Sequence, residues 1–169
     1  RLVSTGKYYF LSRPRRFGKS LLLSTLEAYF EGKKELFKGL AIEALEKEWE
    51  KHPVLHLDLN SGRYMIPEDL DVILQQHLNN WEAQYGITQR YNDFAARIND
   101  IIDAAYSKTG KKVVILIDEY DKPIVNNIGN EPLTDYYRKT LQSLYGVMKA
   151  KDGKIRFGFL TGVSKIGKL

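Results

Sequence analysis

The segment Val113–Asp121, with the sequence VVILIDEYD, constrains the fold of this chain more than any other segment. Its five consecutive aliphatic residues are typical of a parallel strand that is covered on both faces. Such strands lie in sheets that carry helices on either side. The segment therefore predicts a three-layer α/β/α sandwich with a mainly parallel sheet, in which the acidic pair Asp118 and Glu119 ends one strand.

The rest of the chain alternates β-type runs with segments of helical periodicity, as a parallel sheet with crossover helices requires. Strands are predicted at Tyr8–Ser12, Pro53–Asn60 and Lys154–Gly162. Helices are predicted at Lys19–Phe30, Ala41–Lys51 (carrying Trp49), Pro67–Tyr85, Asp93–Tyr106 (with Asn92 as N-cap and Gly110 at the exit) and from Pro132 onwards.

A phosphate-binding loop is predicted between the first strand and the first helix. The segment RPRRFGKS matches the pattern G-x-x-x-x-G-K-[ST], except that Arg13 replaces the first glycine. In such a loop backbone amides and a helix N-terminus hold phosphate oxygens, the lysine reaches the β- and γ-phosphates, and the serine hydroxyl binds Mg²⁺. The candidate ATP contacts are Arg13, Pro14, Arg15, Arg16, Phe17, Gly18, Lys19 and Ser20.

The acidic end of the third strand predicts the metal-binding and water-activating half of the same site. An aliphatic strand that ends in two carboxylates is the Walker B arrangement. Side chains alternate across a strand, so we expect Asp118 to hold Mg²⁺ and Glu119 to activate the attacking water. Asp58, near the end of the second strand, is the next carboxylate to consider.

Two hydroxyl residues at the end of the fourth strand are further catalytic candidates. In nucleotide hydrolases with an additional strand between the two motif strands, a polar residue at this position contacts the γ-phosphate or the attacking water. Thr161 and Ser164 both fit that position. Ordinary turn chemistry is the alternative interpretation for either residue.

Charge and composition leave a second partner open. The net charge is +5, and four basic residues lie close together in the sequence: Arg13, Arg15, Arg16 and Lys19. The positive potential of such a cluster suits the phosphates of a nucleic acid as well as those of a nucleotide. The chain has no cysteine, which fits a reducing, cytoplasmic setting, and no run approaches the roughly 20 apolar residues of a membrane span.

Four blocks of sequence together resemble the AAA-ATPase-like proteins of bacteria and archaea. The blocks are SRPRRFGKS, PVLHLDLN, VVILIDEYDKPI and FLTGVSKIGK. In that family the RPRRFGK loop also lacks the usual first glycine. The resemblance implies an additional-strand P-loop core, often followed by a domain similar to the PD-(D/E)XK nucleases. It implies that residues 1–169 are a core that is incomplete at both ends, with Asp121 in a structural role, pairing with a loop arginine.

Three functions therefore remain open from the sequence. The first is Mg²⁺-dependent ATP hydrolysis coupled to conformational change in attached or partner domains, including those of a homo-oligomer. The second is a P-loop kinase, although Glu119 beside Asp118 suits water activation better. The third is a nucleotide-gated nucleic-acid-binding module with little turnover.

Overall fold

The fold is described by a computed structural model that covers residues 7–12, 18–46 and 49–163, without the side chains of residues 19, 20 and 44. Within these residues, four strands form one parallel sheet. The strands are β1 (Tyr8–Ser12), β2 (Val54–Asp58), β3 (Val113–Asp118) and β4 (Ile155–Gly162). Their order across the sheet is β1-β4-β3-β2, so β4 is the additional strand between the two motif strands. This is an α/β fold, as predicted, and is consistent with a P-loop NTPase-like domain.

Helices connect the strands, and each predicted helix begins within one residue of its predicted start. They are α1 (Lys19–Phe30), α2 (Ala41–Leu45), α3 (Pro67–Gln84), α4 (Phe94–Thr109), α5 (Lys122–Val125) and α6 (Glu131–Ala150), with short 3₁₀ turns at Lys34–Phe37 and Asp152–Lys154. Helix α5 is a single turn, too short to show periodicity, and was not predicted. None of these described helices is both long enough and apolar enough to cross a membrane.

The alternating side chains of β3 join two separate parts of the core. All six residues of this strand are buried. Val113, Ile115 and Ile117 pack into the larger cluster, which includes residues of α3, α4 and α6. Val114 and Leu116 pack on the opposite face with residues of α1. The run of five aliphatic residues is therefore explained by helices on both faces of the sheet.

Two predicted details of helix α4 differ from the structure. The N-cap is Asp93 rather than Asn92, because the Asp93 carboxylate accepts a hydrogen bond from the Ala96 amide at 3.0 Å. The helix also continues beyond Tyr106 and ends before Gly110, whose φ of 67° supplies the predicted left-handed exit. Both side chains can cap a helix, so sequence alone does not choose between the adjacent residues.

The predicted helix Ala41–Lys51 is too long. Helix α2 ends at Leu45, and Trp49 lies outside it. The indole ring instead packs on Phe37 and Tyr29, with ring centroids 5.2 and 5.7 Å apart. Aromatic packing against the end of α1, rather than helical periodicity, places this tryptophan.

A buried ion pair joins α3 to α4. The Arg97 side chain is 1% exposed, and its guanidinium donates to both carboxylate oxygens of Glu82, at 3.1 and 2.6 Å. The Gln75 and Asn79 side-chain oxygens accept two further hydrogen bonds from the same group. Because the charges are paired and bonded, the helices accommodate an arginine in an otherwise apolar contact.

Strand β1 forms one edge of the described sheet and pairs with β4. Tyr8 and Phe10 are 38% and 37% exposed on one face of this edge. The strand that leads into the predicted phosphate loop is therefore covered less than the central strands.

Candidate functional site

The four strand ends meet at one edge of the sheet, because all four strands run in the same direction. Ser12 ends β1 opposite Gly162, and Asp58 ends β2 opposite Asp118. Open α/β sheets bind ligands outside this carboxyl edge. Both predicted motifs are connected to it, since the phosphate loop follows β1 and the acidic pair ends β3.

Of the predicted phosphate loop, residues 13–20, the structure describes Gly18 and the backbone of Lys19 and Ser20, where a helix begins. Gly18 has a φ of 71°, a left-handed conformation that glycine adopts without steric cost. Helix α1 begins at Lys19, and the Leu22 amide donates to the Gly18 carbonyl at 2.9 Å. Residues 13–17 and the side chains of Lys19 and Ser20 lie outside the described residues, so their contacts stay predictions.

The acidic pair is buried, but only its first member belongs to the strand. Asp118 and Glu119 are 4% and 7% exposed. Strand β3 ends at Asp118, and Glu119 has a φ of 56°. The prediction that strand alternation separates the two carboxylates is therefore wrong in its cause: a left-handed backbone, not the next position of a strand, sets the direction of Glu119.

Thr161 on β4 contacts both members of the pair. Its hydroxyl donates to Asp118 Oδ1 at 2.6 Å and accepts from the Glu119 amide at 3.1 Å. The Tyr120 amide donates to the Thr161 carbonyl at 2.9 Å. Thr161, predicted as a catalytic candidate, thus lies against the acidic pair, and the other candidate, Ser164, lies outside the described residues.

Asp121 packs against the end of β4. It is 3% exposed, and its Oδ1 atom accepts from the Val163 amide at 3.3 Å. A Cβ atom on Gly162 would come within 2.6 Å of the Asp121 carboxylate, so only glycine fits at that position without a shift. The predicted structural role agrees with these contacts, while the expected arginine partners lie in the loop outside the described residues.

A second network joins the end of β2 to the turn after β3. Asp58 Oδ1 accepts from the Asn60 amide at 2.8 Å, and Lys122 donates to the Asn60 carbonyl and side-chain oxygens. Asn127 donates to the carbonyl of Tyr64 at 2.7 Å. Sequence reasoning did not find Asn60 or Lys122, since nothing in their spacing indicates that they meet.

Tyr120 connects the acidic turn to the edge strand. Its ring packs edge-on against Phe10, with centroids 5.2 Å apart. Burial, helped by the negative charge of Asp121, raises the pKa of the Tyr120 hydroxyl to about 12. The phenol is therefore neutral at physiological pH and adds no charge to the site.

The donor chemistry at this edge suits Mg²⁺. The Asp118 and Asp58 carboxylates supply oxygen donors, and they end neighbouring strands opposite each other in the register. Mg²⁺ prefers carboxylate and phosphate oxygens, whereas softer metals select sulfur and imidazole. His52 and His56 are engaged elsewhere, with a ring nitrogen 2.8 Å from Lys112 O and 2.8 Å from Glu27 Oε2, respectively. His77 lies beside the end of β2: its Nδ1 is 2.9 Å from Ile73 O, and its Nε2 accepts from the Asp58 amide at 3.4 Å.

Comparison with known proteins agrees with the geometry. A family model described as "Predicted AAA-ATPase" matches residues 1–169. A protein of Azotobacter chroococcum mcd 1, described as "Uncharacterized protein in vnfD 5'region", is 39% identical over 168 residues. That alignment covers 99% of this chain but 33% of the relative, so the chain spans about a third of the relative's length.

Proposed function

Because the chain belongs to the AAA-ATPase-like family, we propose that it binds ATP with Mg²⁺ at the carboxyl edge of the sheet and hydrolyses the ATP. The observation that carries this proposal is the buried acidic pair at the end of β3, which only β4 separates from the strand that leads to the predicted phosphate loop. Fixed carboxylates beside a phosphate-binding helix start are what phosphoryl transfer to water requires.

The phosphate half of the site consists of the residues around the start of α1. The left-handed Gly18 turns the chain so that the first amides of the helix, which have no partner within the helix, are available to phosphate oxygens. Lys19 adds a positive charge to the β- and γ-phosphates, and the Ser20 hydroxyl supplies an oxygen to Mg²⁺. Arg13, Arg15 and Arg16 raise the local positive potential.

The carboxylate half divides into two roles. Asp118 holds Mg²⁺ directly or through water, and its orientation is supported by the hydroxyl of Thr161. When bound, Mg²⁺ neutralises negative charge on the phosphate oxygens. Glu119 accepts a proton from the attacking water at its carboxylate and is the general base of the reaction. Its left-handed backbone gives this side chain a direction different from that of Asp118.

The proposed reaction serves to drive conformational change in attached or partner domains. The length of the Azotobacter relative supports this part, because two thirds of that protein lies outside the segment that aligns with this chain. The nucleic-acid alternative depends on Arg13, Arg15 and Arg16, which lie outside the described residues. Glu119 beside Asp118 suits activation of water better than the kinase alternative.

Replacement of Lys19 by alanine tests the proposal. We expect Lys19→Ala to lose at least about tenfold in affinity for ATP with Mg²⁺, because hydrogen bonds to charged groups are among the strongest polar contacts. Isothermal titration measures the affinity, and thermal melting checks that the fold survives.

Lys139→Ala is the matched control, since Lys139 lies on α6 with its side chain 74% exposed. This variant should bind ATP as the wild type does. Equal affinity of Lys19→Ala and the wild type would contradict the proposed site.

A further inference from the structure

The hydroxyl group of Thr161 is already engaged on both sides. A threonine hydroxyl has one proton to donate and two lone pairs that accept. The proton goes to Asp118 Oδ1 at 2.6 Å, and the Glu119 amide donates to the oxygen at 3.1 Å. To donate to a phosphate or a water molecule, the hydroxyl would have to release Asp118.

Burial adds to this constraint. Thr161 is 0% exposed, and its neighbours in the sheet are Leu11 of β1 and the end of β3. Its two partners are also buried, at 4% and 7% exposure. In such surroundings, loss of a hydrogen-bond partner is costly because little water is available to replace it.

The left-handed backbone of Glu119 depends on contacts from its surroundings, such as the hydrogen bond to Thr161. A glutamate with a φ of 56° occupies a region that costs energy for any residue with a Cβ atom, and it persists only where its surroundings hold it. Two consecutive amides after the end of β3 donate to Thr161: that of Glu119 to the side-chain oxygen and that of Tyr120 to the carbonyl. Of these two hydrogen bonds, only the one from the Glu119 amide depends on which side chain residue 161 carries.

We propose that Thr161 is a positioning residue that sets the orientation of both carboxylates from β4, by holding the Asp118 side chain and the left-handed Glu119 backbone with one hydroxyl. The roles of the two carboxylates rest on the proposed function, whereas the hydrogen bonds themselves do not. Thr161 therefore acts through Asp118 and Glu119 and makes no contact with the terminal phosphate.

Amide hydrogen exchange in the nucleotide-free protein tests the positioning directly. Thr161→Val keeps the shape of the side chain and removes the hydroxyl, whereas Thr161→Ser keeps the hydroxyl. In Thr161→Val we expect the Glu119 amide to exchange faster relative to the Tyr120 amide, on the order of tenfold. Thr161→Ser should leave this ratio at the wild-type value.

The Tyr120 amide is an internal control, because its acceptor is the backbone carbonyl of the same residue. A general loss of stability accelerates both amides, so the ratio separates a local effect from a global one. If Thr161→Val does not fold, Thr161→Ala removes the same hydroxyl without adding a methyl group against Asp118. A wild-type ratio in a folded variant that lacks the hydroxyl would overturn the proposal.

Nucleotide binding distinguishes positioning from contact with the phosphate. If Thr161 orients the proposed Mg²⁺ ligand, Thr161→Val should reduce the Mg²⁺-dependent gain in affinity for ADP and for ATP by similar factors. A loss confined to ATP would mean that the hydroxyl contacts the terminal phosphate, and would overturn the proposal. If the wild type binds neither nucleotide, the proposed function fails, while the exchange ratio still decides whether Thr161 positions the acidic pair.

Discussion

Glu119 combines an unfavourable backbone conformation with a buried carboxylate. Its φ of 56° costs of order 1–3 kcal/mol for a residue other than glycine. A glycine would avoid this cost but would remove the carboxylate. The presence of a glutamate in this conformation fits a chemical role better than a structural one.

Glu119→Gln should retain ATP binding and slow hydrolysis. The amide keeps the size of the side chain but accepts no proton at pH 7, so we expect the rate of ATP hydrolysis to fall by about 10² to 10⁴. Steady-state phosphate release measures the rate, and isothermal titration measures the affinity. Glu35→Gln, at an exposed position in the first 3₁₀ turn, is the matched control and should behave as the wild type does.

Asp118→Asn tests the second proposed role, the binding of Mg²⁺ by Asp118. It should weaken the dependence of ATP binding on Mg²⁺, an effect that Glu119→Gln should not show. Hydrolysis at the wild-type rate in Glu119→Gln would place water activation elsewhere, and Asp58 would be the next carboxylate to replace.

For single residues, the sequence predicts which carboxylates lie at the end of β3 better than it predicts the contacts that hold them. Asp118 and Glu119 follow from an aliphatic strand that ends in two acids. The bonds from Thr161 do not, because they join residues 42 and 43 positions apart, and side-chain pairing across strands leaves no local pattern. The left-handed conformation of Glu119 is equally hidden, since no glycine or asparagine indicates it.

The sequence predicts best those secondary-structure elements whose ends are marked by proline or glycine. Strand β1 and helix α1 have the bounds that the sequence predicts, because proline and glycine separate them. Helix α5 has a single turn and no periodicity, and Trp49 is placed by aromatic contacts from other segments. Tertiary packing, which the local sequence does not contain, explains these differences.

The ion pair between α3 and α4 provides a test of element packing. Arg97→Met should lower the free energy of unfolding by about 3–5 kcal/mol, because it leaves the Glu82 carboxylate buried without its cation. Arg90→Met is the control: Arg90 bonds Asp100 but its side chain is 66% exposed, so its loss should lower the stability far less than the loss of Arg97 does. Urea unfolding followed by circular dichroism gives both values.

A double variant distinguishes the unpaired charge from lost packing. Arg97→Met combined with Glu82→Leu should recover much of the stability, since replacing both members of a buried pair by apolar residues is often neutral. If Arg97→Met and Arg90→Met cost the same, the buried pair does not join these helices as the structure suggests.

In the molecule as a whole, strand β1 is the described strand that neighbouring elements cover least. It pairs with β4 on one side, and Tyr8 and Phe10 are each more than a third exposed. We propose that residues 1–169 are an incomplete core, and that a further strand of the full protein pairs with β1. The greater length of the Azotobacter relative supports this proposal.

A chain extended beyond Leu169 with the sequence of its full protein should therefore melt at a higher temperature and hydrolyse ATP faster. Each kcal/mol of added stability corresponds to about 2–4 °C for a domain of this size. Calorimetry and phosphate release, at several protein concentrations, compare the two chains. A flexible glycine-serine extension of equal length is the control, and equal behaviour of all three chains would show that the core is self-sufficient.

The position of β4 between β1 and β3 also fixes an order of events during synthesis. Strand β1 is translated well before its described partner, residues 155–162. At roughly 5–20 residues per second, the aromatic edge that leads into the phosphate loop waits on the order of ten seconds for its neighbour. The same late strand brings Thr161 to the acidic pair. Until β4 is translated, a nascent chain therefore lacks both the described partner of β1 and the hydroxyl that contacts the acidic pair.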